Sequence, residues 1–242
     1  MKFRLLQARE PGDLVRHEER AAFADRLGVD VEAILPHDLL ADPPEVEAVL
    51  DGVDAVLVGG SGAHSVFDDL PWVGGFIDLL GELTAIRAPM FASCFGFQGL
   101  VVALGGRVER DVSRAEVGTF EVELLAAAAD DPIFSTLPAR APAQLGHKDH
   151  AVAWPSSMTL LARSERCPFQ AARVGDAPIW ASQFHPELTG PTNLARFRRY
   201  RDAYTLTFGD AGYRKIEAGF GPSVAMDGLL ATWRRWLTSS QA

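Results

Sequence analysis

Cysteine is scarce in this chain. Cys94 and Cys167 are the only two among 242 residues. Two are too few for a disulfide scaffold, so a reducing, cytoplasmic setting is expected. Long apolar runs are also missing: no stretch approaches the roughly 20 residues of a membrane span. The first ten residues carry Lys2, Arg4, Arg9 and Glu10 where a secretory leader needs an uncharged core. No membrane association is expected. Basic residues are outnumbered, 23 Lys and Arg against 32 Asp and Glu, for a formal net charge of −9. That is the wrong sign for a surface contacting nucleic-acid phosphates. A phosphate loop is lacking too. Gly59-Gly60-Ser61-Gly62 follows an apolar run but has no Gly-Lys-Ser/Thr ending and no full Gly-x-Gly-x-x-Gly. His147, Asp149 and His150 have no cysteine partner nearby, so no metal is expected, and no other cofactor.

What is present is a core-forming composition, 48% hydrophobic and 23% charged. It suits one domain over residues 1–242, with a core of about 1–190 and a helical extension of about 191–242. In the first half, apolar strands at 3–8, 31–35, 54–58 and 89–93 alternate with helices at 15–27, 43–50, 72–86 and 95–104. Nearly uniform apolar strands between helices predict a parallel sheet covered on both faces, doubly wound, with its site at the carboxyl ends of the strands. The second half changes character. Strands at 107–110, 118–125, 143–147, 159–163, 169–174 and 179–185 have few helices between them, which predicts an antiparallel or mixed portion. Helices at 191–204 and 222–237 follow. Met226, Leu229, Leu230, Trp233 and Leu237 lie at helical spacing and read as core. Arg196, Arg198, Arg199 and Arg201 read as a solvated helix face, and His64, Asp68 and Asp69 as loop residues.

Two stretches carry chemistry. Pro89-Met90-Phe91-Ala92-Ser93-Cys94-Phe95-Gly96-Phe97-Gln98 runs from a buried strand into a helix. A cysteine at that junction faces helix N–H groups, which favour the thiolate. Small neighbours at Ala92, Ser93 and Gly96 permit the sharp turn of a nucleophile elbow. Phe184-His185-Pro186-Glu187 is the second stretch. Pro186 keeps the segment extended, so His185 and Glu187, two apart, share a face. A carboxylate there orients an imidazole, and the imidazolium stabilises a thiolate. Together they make a Cys-His-Glu triad by role. Cys167 reads as packed or at a pocket rim.

These motifs resemble the triad-type (class I) glutamine amidotransferase family. Val58-Gly59-Gly60-Ser61 resembles its oxyanion strand and Gly146-His147-Lys148-Asp149 its Ser-His-Gly-Asp segment. Residues 164–170, Ser-Glu-Arg-Cys-Pro-Phe-Gln, resemble a stretch of the GMP synthase glutaminase domain. The likeness runs over about 54–188. It implies a flavodoxin-like fold with an added antiparallel portion. Cys94 would attack glutamine's side-chain amide, and His185, oriented by Glu187, would move protons. The backbone N–H groups of Phe95 and Gly60 would hold the oxyanion. Gln98, His147 and Gly59 would help seat the substrate. The implied activity is a free-standing glutaminase whose ammonia serves an unidentified acceptor. A hydrolase of γ-glutamyl peptides or conjugates, and a catalytically weak binding protein on the same fold, are the alternatives. The partners to look for are a second copy of the chain and a separate synthase subunit. Three departures stand out: Ala92 where the family has Gly, Lys148 where it has Gly, and no Pro in 61–69.

Overall fold

The computed structural model describes residues 1–41 and 44–240. In chain order its elements are β1 (Phe3–Ala8), α1 (Val15–Leu27), β2 (Ile34–Asp38), α2 (Val46–Leu50), β3 (Ala55–Ser61), α3 (Pro71–Ala85), β4 (Met90–Ser93), α4 (Phe95–Ala103), β5 (Arg107–Arg110), β6 (Glu116–Leu124), β7 (Arg140–His147), β8 (Asp149–Ala153), β9 (Met158–Ser164), β10 (Ala171–Val174), β11 (Ile179–Ser182), α5 (Gly190–Arg199), α6 (Arg201–Glu217) and α7 (Leu229–Ser240). Nine strands make one sheet in the order β2-β1-β3-β4-β11-β10-β9-β6-β7. From β2 to β11 neighbours are parallel, and from β11 outward they are antiparallel. The parallel part has the 2-1-3-4-5 order of flavodoxin-like sheets, with β11 in fifth place. Strands β5 to β10 enter the chain between its fourth and fifth members, and β5 pairs with β8 apart from the main sheet.

Period-two alternation along the central strands builds two cores. Leu5, Leu57, Phe91 and Trp180 point to one face, where Phe23 and Leu27 of α1 meet Leu229, Leu230, Trp233 and Leu237 of α7. Leu6, Val56, Val58, Ala92 and Ala181 point to the other, against Phe76 and Leu80 of α3 and Phe97 and Leu100 of α4. The C-terminal stripe is therefore core, as expected. Trp233 lies 6.0 Å from Phe3 and 5.6 Å from Phe91, ring centre to ring centre, so α7 returns to seal the N-terminal strand. Gly28 ends α1 in the left-handed conformation (φ 66°), with its N–H on the Ala24 and Asp25 carbonyls. A Thr189–Thr192 capping box opens α5.

Several boundaries differ from expectation. The 31–35 strand starts only at Ile34, because Val31–Ala33 forms a 3-10 turn. Pro43 lies outside the described residues, and the 43–50 helix is the short Val46–Leu50. Strand β8, which pairs with β5, was not expected. The 191–204 helix breaks at Tyr200 and continues as α6 to Glu217. The Tyr200 hydroxyl bonds Asp13 and accepts from Arg9, which draws this corner over the strand ends. The 222–237 helix starts at Leu229, after a 3-10 turn at Val224–Met226.

Candidate active site

Cys94 sits between β4 and α4 at φ 52°, ψ −99°. Its backbone N–H donates to the Ser182 carbonyl of β11 at 2.8 Å. The turn is tight enough that a Cβ at Gly96 would lie 2.7 Å from Val58 Cβ and 3.1 Å from Ala92 Cβ. This close approach of α4 to the sheet explains the glycine at 96. Ala92 does not adopt a positive φ, so replacing the family's glycine leaves the elbow intact. The first N–H groups of α4, beginning with Phe95, have no intrahelical acceptor and lie beside the sulfur. The Gln183 amide also points at Cys94 Sγ, 3.7 Å away.

The adjacent parallel strand supplies the second half of the site. Beyond Ser182, Gln183 donates its N–H to the Gln170 carbonyl and His185 donates its own to the Gln144 carbonyl, each at 2.8 Å. His185 Nδ1 then lies 2.6 Å from Glu187 Oε1. Both side chains are buried. Burial alone would lower the His185 pKa. The charges of Glu187 and Cys94, and hydrogen bonds to both, override it and raise the pKa to about 10. Burial pushes Glu187 up, but His185 and then Arg196 pull it below its ordinary value. Arg196 belongs to the basic run expected on a solvated face. It is instead buried, with Nη1 3.9 Å from Glu187 Oε1. Spacing in a basic run gives no sign of which arginine turns inward. Asn193, Phe197 and Tyr200 at i−3, i+1 and i+4 form the half-apolar face that turns with it.

The residues expected to seat a substrate divide. Gln98 and His147 line the cavity that holds Cys94 and His185. Each is already engaged: Gln98 Nε2 donates to the Asp149 carbonyl at 2.8 Å and to Gln183 Oε1 at 3.1 Å. His147 has the Asp149 carbonyl 3.0 Å from Nδ1 and Glu116 Oε2 3.1 Å from Nε2. Gly59 corrects an expectation. It does not line the cavity, and the Glu19 carboxylate fills the space that a Cβ there would occupy, at 2.7 Å. Gly60 abuts the site, since a Cβ on it would lie 2.9 Å from His185 Cε1. Its N–H, expected at an oxyanion, donates to Glu19 Oε1 at 3.2 Å. Glu19 in turn pairs with buried Arg9 at 2.7 Å. Sequence reasoning missed this pair, whose members lie on different elements.

Tyr204 of α6 also reaches the cavity. Burial first, and then the charge of Cys94, raise its pKa to about 12, with Arg196 and Arg9 opposing. Cys167 is packed outside the cavity. Burial, followed by the Glu116 charge, pushes its thiol up to about 12, which keeps it protonated and unreactive. It lies with Glu116 and His147 in a buried group whose potential ligand atoms fall within 4.8 Å of one another. The Glu116 carboxylate there accepts from Gln170 at 2.6 Å, so hydrogen bonds account for the group. His64 sits at the cavity mouth with Nε2 3.0 Å from Glu10, and Asp68 accepts from the Ser65 N–H, as loop residues would.

A flavodoxin-like sheet with a cysteine elbow at the end of β4 and a His-Glu pair beyond β11 defines a cysteine-dependent amidotransferase. The family model described as glutamine amidotransferase class-I matches residues 25–198, and the chain belongs to that family. Among its relatives is one of the separate chains of the glutamine-hydrolysing GMP synthase of Methanopyrus kandleri, 32% identical over 179 residues covering 72% of this chain and 87% of that protein. The glutamine-hydrolysing GMP synthase of Thermosipho melanesiensis is 32% identical over 149 residues, 61% of this chain but 27% of that longer protein. A solved glutamine amidotransferase from Thermotoga maritima superimposes with a TM-score of 0.73 at 20% identity, covering 98% of this chain and 97% of that one. That likeness in fold extends through the C-terminal helices. No described helix is long and apolar enough to cross a membrane.

Proposed function

We propose that this protein hydrolyses the side-chain amide of glutamine to glutamate and ammonia through Cys94, His185 and Glu187. The observation that carries the reading is the junction of β4 and β11. Two neighbouring parallel strands deliver a strained cysteine and a buried, carboxylate-paired imidazole to one cavity.

His185 takes the Cys94 proton, and the sulfur attacks the amide carbon. The Phe95 N–H holds the resulting oxyanion. Gly60 becomes its second donor when its N–H exchanges Glu19 for the oxyanion. The imidazolium then protonates the departing nitrogen, the C–N bond breaks, and a γ-glutamyl thioester remains. Water adds to the thioester with His185 as base, the C–S bond breaks, and glutamate leaves. The Methanopyrus kandleri relative, close to this chain in length and named as one subunit of a GMP synthase, supports a separate synthase chain as the receiver of the ammonia. Phe197, Tyr200 and Tyr204 over the cavity favour a second reading, in which the leaving amine is larger than ammonia and the substrate is a γ-glutamyl peptide or conjugate.

Purified protein incubated with glutamine should release glutamate and ammonia in equal amounts, and a glutamine-derived electrophile should modify Cys94 and spare Cys167. Modification of Cys167 alone would identify the wrong thiol. Turnover of γ-glutamyl dipeptides without turnover of glutamine would select the second reading.

The Glu187→Gln variant tests the proton relay. Glu187 and Cys94 hold the His185 pKa up against burial. Without the carboxylate the imidazolium loses its proton at lower pH and can no longer protonate the leaving nitrogen. The alkaline limb of the kcat/KM profile should therefore move down by about 1–3 pH units. An unmoved limb would show that Glu187 does not act on His185.

A further inference from the structure

Nearly every cation around the cavity has its acid. Arg9 meets Glu19 at 2.7 Å, Arg110 meets Asp149 at 2.7 Å, and Arg196 stands 3.9 Å from Glu187. Lys148 lines the same cavity, half-buried, and its ammonium has no hydrogen-bond or ion-pair partner among the described residues. The adjoining carboxylate, Asp149, is occupied by Arg110 and Ser65. Burial and then the Arg110 charge pull the Lys148 pKa below its ordinary value, with Asp149 opposing. The wall thus carries one positive charge that the protein leaves unmatched.

The backbone that bears Lys148 is fixed on both sides. His147 is held by Glu116 and the Asp149 carbonyl, Asp149 by Arg110, and the Lys148 carbonyl accepts from the Asp111 N–H at 3.3 Å. A long flexible stem on a fixed base is suited to meeting a compact anion inside a cavity.

We propose that Lys148 binds the α-carboxylate of the γ-glutamyl substrate and sets the requirement for it. The proposal rests on the glutaminase reading above, and holds equally for its γ-glutamyl peptide form. Glutamine and γ-glutamyl peptides differ in their leaving groups but share this carboxylate. It supplies the one negative charge the wall lacks, and it lies at the far end of the substrate from the amide that Cys94 attacks.

The test compares L-glutamine with L-glutaminamide, in which a neutral carboxamide replaces the α-carboxylate. Lys148→Met keeps the stem and removes the charge. It should lower kcat/KM for glutamine about 10- to 100-fold, carried by KM, the size expected for one charge-assisted hydrogen bond. On glutaminamide the same variant should lose no more than about twofold. Lys148→Arg should restore most of the activity on glutamine. Equal losses on both amides, or an unchanged KM for glutamine, would overturn the proposal while leaving the glutaminase reading standing. Wild-type protein inert toward glutamine and γ-glutamyl amides alike would overturn that reading and the proposal together. The urea midpoint of Lys148→Met, compared with wild type, separates a lost contact from a lost fold.

Discussion

A Cys94→Gly variant is expected to hydrolyse glutamine at least about 10⁴-fold more slowly than wild type, and to be more stable than Cys94→Ala. The first result follows from chemistry: without the sulfur no thioester forms, and Phe95 and His185 act on a substrate that nothing attacks. The second follows from backbone geometry. Cys94 sits at φ 52°, ψ −99°, outside the regions a residue with a Cβ ordinarily occupies. Strain of this kind costs about 1–3 kcal/mol. Glycine relieves it, whereas alanine keeps it and also loses the sulfur's contacts. In an ordinary helix position glycine is the less stable choice by about 0.5–1 kcal/mol. Urea unfolding should reverse that order here, with the glycine variant ahead by about 1 kcal/mol after its greater chain entropy is set against the relieved strain. If the alanine variant proves the more stable, the elbow is not strained, and the placement of the sulfur needs another explanation.

The elbow was legible in the sequence because its causes are local. An apolar strand, small residues at 92, 93 and 96, and a helix start dictate the turn wherever the chain goes next. His185-Pro186-Glu187 was legible for the same reason, since proline fixes the backbone that sets the pair side by side. The parallel half of the sheet could be read from alternating strands and helices, and the α7 stripe from its spacing. What the sequence hid was long-range. Arg196 looks like its neighbours until the chain corners at Tyr200, and that corner depends on Asp13 and Arg9, nearly two hundred residues earlier. The commitment of Gly60 to Glu19 was hidden likewise, as was the isolation of Gly59 from the cavity. Gly59 and Gly60 mark a close backbone approach, and the approaching group is a carboxylate from a helix rather than a ligand.

That carboxylate underlies the largest stability effect. Glu19→Ala is expected to cost about 3–5 kcal/mol in urea or thermal unfolding, the range for removing one partner of a buried ion pair. Arg9 and Glu19 are both almost wholly inaccessible, with side chains 2% and 0% exposed. Without Glu19, the Arg9 guanidinium keeps only the Tyr200 hydroxyl at 3.3 Å. The Gln7 amide and the Gly60 N–H lose the acceptor they share, at 3.0 and 3.2 Å. Arg9→Met should cost less, because those two donors still serve the carboxylate that remains. The double variant Arg9→Met/Glu19→Leu removes both charges while filling similar volume, and it should recover much of the loss. This non-additivity separates a buried pair from a surface one, whose removal rarely exceeds about 1 kcal/mol. A Glu19→Ala loss below that level would mean that water reaches Arg9 beneath α5 and α6. The cavity roof would then be open on the side where Tyr200 and Tyr204 are placed to close it.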